Sequence, residues 1–303
     1  MKIDVHAHIH PESCLDIMPP AGLAANVQDA ITDLPVRLRD MDAQGVDLQL
    51  LSVPPWLCDQ GPVAATRLNQ GIAEAVAAHP SRFMGLATVA LEEPASAAAE
   101  LERTVKELGF KGVEIMSNIN GENLHERKFG VFYRKLEELD VPIFIHPHNV
   151  LGREDRLRPF YLSNFLGNPT DTAVAAACLI FGGVLKEFPS LKFILAHGGG
   201  SCPFLIGRWD HGWNVRVEGL RIIDQPPSEY FKLLYFDALL HSQPALEYLV
   251  GVVGADHVLL GSDYPFAMAE TDPAGKVAAL THLREGELAA IFEGNARRLF
   301  KLG

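Results

Sequence analysis

Short apolar segments alternate with longer amphipathic segments along the whole chain. Several of the short segments are apolar or β-branched throughout, which is typical of strands buried on both faces of a parallel sheet. The predicted strands comprise residues 3–6, 46–53, 83–89, 112–115, 142–146, 192–197, 233–237 and 258–262.

The longer segments carry apolar residues three and four positions apart, the spacing of one face of an α-helix. One of them begins at Pro94 and stops before Gly109, and these are the favoured places for Pro and Gly at helix ends. The predicted helices comprise residues 62–78, 94–108, 170–188 and 287–300.

Eight strands that alternate with helices, without a linker of biased composition, predict a (β/α)8 TIM barrel. We therefore expect one α/β domain over residues 1–303. An open doubly wound sheet is the alternative, but it would require a glycine-rich nucleotide loop after the first strand, where this chain has HAHIH. Residues 11–35 are poorly periodic, and we expect them to form a small loop insertion after strand 1, over the mouth of the active site.

Charge and composition narrow the range of partners. The formal net charge is −12, and no cluster of Lys and Arg stands out, so neither nucleic acid nor an anionic membrane surface is an expected partner. An anionic small molecule remains open, because local arginines can override the global charge. The longest apolar stretch, residues 174–185, is too short to span a bilayer.

The cysteines and the N-terminal residues indicate the expected cellular location of the protein. Four cysteines are scattered without a CxxC pair, which indicates reduced thiols. The N-terminal apolar residues alternate with Asp and His, so they lack the continuous apolar region of a secretory signal. The expected location is therefore cytoplasmic.

The histidines at the end of the first strand are the strongest chemical signal. His6 and His8 are two residues apart, so in a strand both side chains point to the same face. Paired imidazoles at a strand end provide half of a metal site. His10 continues the alternation, but we expect it to point past the metal into a loop.

Other polar residues follow later strands and should meet this pair at one rim of the barrel, where the chemistry of the fold collects. His146, His197, Asp237 and Asp263 each stand at the end of a different predicted strand. Taken alone, His146 could be an ordinary hydrogen-bonded residue, and Asp263 could be a helix N-cap. Imidazole and carboxylate ligands together suit zinc, manganese, iron or cobalt.

The motifs that hold these residues resemble those of the metal-dependent amidohydrolase superfamily (amidohydrolase 2 family), within its decarboxylase branch of the aminocarboxymuconate-semialdehyde type. The similarity extends over nearly the whole chain and includes MKIDVHAHIHP, VRLRDMDAQGVDLQLLS, FIHPHN, FILAHGGGSCPFLIGRWDH and HVLLGSDYPF. It implies a barrel of the metal-dependent hydrolase type.

The resemblance also implies roles for individual residues. His6, His8, His146 and Asp263 would hold one divalent metal, Zn²⁺ in first place with Mn²⁺ as the alternative, and no organic cofactor would be needed. His197 would act as general acid/base, with Asp263 also in the catalytic centre. The lysine that bridges two metals in many relatives is absent from GVEIM at residues 112–116, which favours a single metal.

Three further residues are implied as contacts of a small carboxylate substrate. Arg37 would bind a substrate carboxylate, although it could instead pair with Asp40 or Asp42 on its own helix. Arg208 would reach into the site of a second subunit, which implies a homodimer, although it could be a packing residue. Phe266 would pack on the substrate.

The sequence departs from the family where the substrate binds. Residues 11–35 contain no Lys or Arg, so a lysine contact of the family is missing. His148 stands where the family has Trp, and Tyr161 lies near the place of a gating Trp. We thus expect His148 and Tyr161 to shape a different pocket.

The expected function is that of a metal-dependent, non-oxidative decarboxylase (carboxy-lyase) of a small unsaturated or aromatic carboxylic acid. The alternative is a metal-dependent hydrolase or hydratase that acts on a small amide, ester, lactone or unsaturated acid. A non-catalytic barrel would have lost ligands, and all of them are present.

Overall fold

The alternation of apolar and amphipathic segments forms a barrel of parallel strands surrounded by helices. A computed structural model describes residues 1–18, 23–216 and 222–303. Eight parallel strands pair in chain order, each with its neighbour in sequence. They are β1 (Ile3–His8), β2 (Leu48–Ser52), β3 (Phe83–Thr88), β4 (Gly112–Met116), β5 (Ile143–His146), β6 (Phe193–Leu195), β7 (Tyr235–Asp237) and β8 (Val258–Leu259).

Backbone contacts between the first and last strands close the sheet. The Val5 amide donates to the Leu260 carbonyl at 3.0 Å, and the amide of Asp263 donates to the carbonyl of His6 at 2.9 Å. Eight strands in sequential order with a closed seam confirm the predicted (β/α)8 barrel.

Helices cover the outside of the barrel, and the apolar core lies largely between them and the strands. Helix α2 illustrates how the sequence fixes the ends: the Asp33 side chain accepts from the Val36 amide at the start, and Gly45 adopts a left-handed conformation at the end. The helices are α1 (Ala25–Thr32), α2 (Leu34–Gln44), α3 (Gly61–Ala78), α4 (Pro94–Glu107), α5 (Gly130–Leu139), α6 (Asn168–Phe181), α7 (Val184–Glu187), α8 (Cys202–Val215), α9 (Pro227–Phe231), α10 (Gln243–Val253), α11 (Pro273–Ala278), α12 (Glu285–Ala289) and α13 (Asn295–Phe300).

A β-bulge in β1 sets the direction of the first histidine. From Asp4 to Ala7, β1 contains one residue more than the paired part of β2. The extra residue shifts the alternation of side chains. Val5 belongs to the same apolar cluster as Phe144, and the ring of His6 lies 4.8 Å from the ring of Phe144. The bulge therefore places His6 directly above the apolar interior of the barrel.

Three sequence-based predictions need correction. The predicted helix 170–188 is divided into α6 and α7, because Gly183 adopts a left-handed conformation between them. The predicted helix 287–300 contains a π-helical segment at Ala290–Gly294. The predicted loop 11–35 contains α1 and the start of α2, and its residues 19–22 lie outside the described part of the chain.

The sequence also predicts that no segment spans a bilayer and that the cysteines are reduced. Among the described residues, no helix has the length and apolar character needed to cross a bilayer. All four cysteines are free thiols, and three of them are buried.

Candidate metal centre and active site

Three histidines at the ends of β1 and β5 turn one ring nitrogen each toward a common point. The Nδ1 atom of His6 contacts Asp237 Oδ2 at 2.7 Å, that of His8 contacts the Val53 carbonyl at 3.1 Å, and that of His146 contacts its neighbouring carbonyl at 2.9 Å. An acceptor at Nδ1 fixes the proton there and leaves Nε2 as a lone-pair donor. All three Nε2 atoms are buried, and none has a hydrogen-bond partner among the described residues.

The carboxylate of Asp263, just beyond β8, faces these three nitrogens. Its Oδ1 lies 3.1 Å from His6 Nε2, 3.2 Å from His8 Nε2 and 3.7 Å from His146 Nε2. Ligands about 2.1 Å from one tetrahedral ion lie roughly 3.4 Å apart, so these spacings fit a common metal ion. Buried acceptors that face one another favour a cation between them, and the four residues therefore fit the implied metal.

His197 completes the group from the end of β6. Its Nε2 lies 3.7 Å from Asp263 Oδ2, and one ligand atom each from His6, His146, His197 and Asp263 falls within 4.8 Å of all the others. Both His197 and Asp263 have positive φ, +56° and +63°. Such conformations cost energy in residues other than glycine and concentrate at functional sites.

Electrostatics favour a cation at this point. Burial alone would raise the pKa of Asp263, but the neighbouring His6, His146 and His197 outweigh burial and hold that pKa well below its ordinary value. Burial also opposes charge on His6, yet Asp263 and Asp237 raise the pKa of His6 well above its ordinary value. The pKa of His146 is held well below the ordinary value by burial, which keeps its imidazole neutral. Metals bind neutral imidazole and ionised carboxylate, so a metal ion and a proton on His6 would compete for this position.

Asp237 organises two parts of this centre. Its carboxylate binds His6 Nδ1, and it also accepts from the amides of His197 at 3.0 Å and Gly198 at 2.8 Å. The sequence predicts Asp237 at the rim of the barrel but does not indicate a role for it. Its spacing from His197 in sequence gave no sign of these contacts.

Glu114 on β4 is a buried acid that the sequence analysis missed. Only 2% of it is exposed, and its Oε1 lies 3.9 Å from His8 Nδ1. Burial raises the pKa of this carboxyl group. The apolar residues on both sides of Glu114 in GVEIM were the only available signal.

A cavity of about 460 Å³ opens onto the metal-binding residues. Residues of α1 and the segment before it form one side of the cavity. The remaining lining combines apolar and aromatic side chains with about as many polar ones, so the cavity suits a small polar ligand that has a flat apolar face. The lining includes Leu23, Ala24, Val27, Trp56, His146, His148, Arg153, Tyr161, Asp263 and Phe266.

Three residues expected at the substrate line this cavity. The ring of Phe266 lies 5.0 Å from that of His8 and 5.5 Å from that of Trp56. His148 Nε2 lies 3.7 Å from Asp59, and burial lowers the pKa of His148. Tyr161 is exposed and contacts Phe165, at 5.2 Å between ring centres.

Arg37 lies elsewhere, and its expected contact with substrate is wrong. It is fully buried behind β1 and β2, where it donates to Gln49 Oε1 at 3.0 Å and to the backbone carbonyl of His8. Its guanidinium also lies 4.7 Å from the centre of the Tyr264 ring. Burial lowers its pKa to about 10. Arg37 thus supports the backbone of the metal-binding strand rather than binding substrate.

Arg208 lies on α8 with its side chain exposed, and it is not part of the cavity lining. Exposed residues Phe204, His211 and Val215 follow the same face of the helix. Within the described part of this chain, Arg208 does not contribute to the metal centre.

A closed eight-stranded barrel with a histidine and aspartate cluster at its C-terminal rim defines a metal-binding (β/α)8 protein. The amidohydrolase family model matches residues 3–302, so the chain belongs to this family. The family predicted from the sequence motifs is thereby confirmed.

Individual relatives include lyases with different substrates. A 2-amino-3-carboxymuconate-6-semialdehyde decarboxylase of Dictyostelium discoideum is 33% identical over 98% of this chain and 90% of that protein. A dihydroxybenzoic acid decarboxylase from Polaromonas sp., solved with bound manganese and the inhibitor 2-nitroresorcinol, has a TM-score of 0.87 at 28% identity, covering 99% of this chain and 97% of that one. A 2-keto-4-carboxy-3-hexenedioate hydratase from Sphingobium sp. is 30% identical over 87% of this chain and 81% of that protein.

Proposed function

We propose that this protein is a metal-dependent, non-oxidative decarboxylase of a small unsaturated or aromatic carboxylic acid. The observation that carries the proposal is the set of unpartnered Nε2 atoms of His6, His8 and His146 around Asp263, at the base of an aromatic-lined cavity. The similarity to a muconate-type and a dihydroxybenzoate decarboxylase supports the choice of reaction.

His6, His8, His146 and Asp263 would hold one divalent metal. The bound metal supplies Lewis acidity, which polarises a substrate oxygen or lowers the pKa of a bound water to about 7. Asp237 orients His6, and the carbonyl of Val53 orients His8. Their ring orientations are therefore set by the protein itself.

The reaction replaces a carboxylate by a proton and releases CO2. The bond between the ring or alkene carbon and the carboxyl carbon breaks, and its electron pair stays on the substrate carbon. His197 would donate the proton with which this electron pair forms the new C–H bond, because its Nε2 faces the metal centre. Trp56 and Phe266 keep water from one side of the cavity, and an apolar slot favours loss of neutral CO2.

Zn²⁺ is the metal that we propose, because three imidazoles and one carboxylate suit a borderline cation. Mn²⁺ is the competing choice, and the Polaromonas neighbour was solved with it. Metal analysis of protein purified without added metal, followed by reconstitution with Zn²⁺ or Mn²⁺, decides between the two. If the purified protein contains one Mn²⁺ per chain and only Mn²⁺ restores activity, the metal is Mn²⁺ and not Zn²⁺.

A panel of acids tests the reaction. Metal-quantified protein is incubated with muconate-type, hydroxybenzoate and related acids, and released CO2 is measured. We expect CO2 from at least one of these acids, in proportion to metal content. The alternative is a metal-dependent hydrolase or hydratase, and the similarity to the Sphingobium hydratase supports it. It would be established if no acid releases CO2 while the protein hydrates an unsaturated acid or hydrolyses an amide, ester or lactone.

We further propose a homodimer in which Arg208 acts at the site of the partner subunit. The exposed face of α8, which carries Phe204 at 81% exposure beside Arg208, supports this arrangement. Light scattering after size exclusion should give twice the chain mass of 33.1 kDa. Mixing and reassembling inactive Arg208→Ala and His146→Ala subunits should recover part of the activity. A monomeric mass, or no recovery in the reassembled mixture, would refute the arrangement.

A further inference from the structure

The cavity contains a cationic side chain to which nothing above assigns a role. Arg153, in the loop that follows β5, lines the cavity together with His146 and Asp263. Arg37 is buried elsewhere, and Arg208 does not line the cavity. Among the described residues, Arg153 is therefore the only Arg or Lys in the cavity lining.

We infer that Arg153 binds a second acidic group of the substrate, so that the substrate is a planar acid with two anionic groups. This inference rests on the proposed function and specifies its substrate class. One acidic group lies at the metal centre and the other at Arg153.

The local contacts of Arg153 leave its guanidinium available to a ligand. Nη1 donates to Asn149 Oδ1 at 3.1 Å, and Nε lies 3.6 Å from the carboxylate of Glu154, whose side chain is 86% exposed. No hydrogen bond from Nη2 is found within the described residues. A contact with so exposed a carboxylate is weak and is readily exchanged for a ligand anion. A planar guanidinium can then bind a carboxylate through two parallel hydrogen bonds.

The loop backbone holds Arg153 at this position. The Arg153 amide donates to the Val150 carbonyl at 3.1 Å, and Val150 is itself buried and lines the cavity. Gly152 has a φ of +74°, which allows the chain to turn just before Arg153.

The shape of the cavity agrees with a flat ligand. Trp56 and Phe266 form an aromatic wall with ring centres 5.5 Å apart, and a planar unsaturated acid can lie against it. The volume of about 460 Å³ is in the range of small-molecule sites. The whole chain has a net charge of −12, so a substrate with two negative charges needs such a local cation.

Binding of benzoate and isophthalate to the metal-loaded protein tests the inference without requiring turnover. Isothermal titration should show that the native protein prefers isophthalate, which has two carboxylates, over benzoate, which has one. Arg153→Ala should weaken isophthalate binding about ten-fold or more and benzoate binding much less, since one charge-assisted contact is lost. Arg153→Lys keeps the charge but not the paired donors, and should fall between the two.

Arg156→Ala is the matched control, because Arg156 is an exposed arginine of the same loop outside the cavity lining. It should leave both affinities unchanged. Three results would each overturn the inference. Arg153→Ala could weaken the binding of both probes equally, Arg156→Ala could weaken isophthalate binding as much as Arg153→Ala does, or the native protein could show no preference for isophthalate. If the protein releases no CO2 from any acid yet shows the Arg153-dependent preference, the proposed function fails and the subsite stands. If it releases CO2 and Arg153→Ala binds both probes like the native protein, only the subsite fails.

Discussion

The acceptors at Nδ1 differ among the three metal-site histidines. His6 uses the charged Asp237, whereas His8 and His146 use backbone carbonyls. A carboxylate partner raises the basicity of an imidazole ligand more than a carbonyl does. The sequence could not predict this difference, because Asp237 and His6 are 231 positions apart in the chain. The contribution of Asp237 to metal binding can be measured separately.

Replacing Asp237 with Asn should weaken metal affinity by about 10- to 100-fold, the usual cost of losing such a partner. Competition with a chromophoric chelator gives the affinity directly. Asp171→Asn is the control. Asp171 is also a buried carboxylate, and it accepts a hydrogen bond from the Leu151 amide at 3.0 Å. Within the described part of the chain, its hydrogen bonds are to residues other than the proposed metal ligands. If Asp237→Asn retains native metal affinity, Asp237 has no part in positioning His6.

His197 can be tested with a substitution that suits its backbone. Its φ of +56° is tolerated by Asn better than by most residues, so His197→Asn removes the imidazole with little strain. We expect kcat to fall by roughly 10²- to 10⁴-fold, the usual contribution of a general acid/base, while metal content stays native. His282→Asn changes an exposed histidine and should have no effect. Activity within about two-fold of native in His197→Asn would exclude the acid/base role.

Strands were easier to predict than breaks in helices. All eight predicted strands overlap the observed ones, because apolar runs buried on both faces leave a strong local signal. The division between α6 and α7 was missed because apolar residues continue across Gly182 and Gly183. A β-carbon at Gly182 would come within 2.3 Å of His125, far along the chain, and no local pattern reveals that constraint.

The turn after β6 depends on a glycine for space. Gly200 has a φ of +61°, and a β-carbon there would lie 1.8 Å from the carbonyl oxygen of Pro169. Gly200→Ala should therefore lower the free energy of unfolding by about 2 kcal/mol or more, and displace His197. Gly251→Ala in α10 is the control, since no atom of the described residues lies within 4 Å of its β-carbon, and it should stabilise slightly. Denaturant unfolding measures both. Native stability and kcat in Gly200→Ala would show that the turn accommodates a side chain.

The sequence indicated which candidate metal ligands lie together, but it did not indicate where Arg37 lies. His6 and His8 are two residues apart in one strand, and His146 and Asp263 follow later strands of the same barrel, so one architectural rule brings them together. The location of Arg37 depends instead on Gln49 and Tyr264, whose positions only the assembled barrel defines. Residues that bind through loops, such as Arg153, are the hardest to predict for the same reason.

A metal ion held by β1, β5 and the end of β8 would join distant parts of the barrel, so its removal should lower global stability. At a free metal concentration 1,000-fold above Kd, binding contributes about 4 kcal/mol, or roughly 5–15 °C in Tm for a chain of this size. Calorimetry with and without chelator at pH 7.5 should show that loss, and metal should restore Tm.

The stabilisation by metal should diminish as pH falls below about 7, because protons compete with the metal for the imidazole ligands. His6 should be protonated first: burial opposes its charge, but Asp263 and Asp237 outweigh burial and raise its pKa. His146→Ala is the control and should not respond to metal at any pH. A metal response in native protein that stayed constant down to pH 5 would place the ion at other ligands.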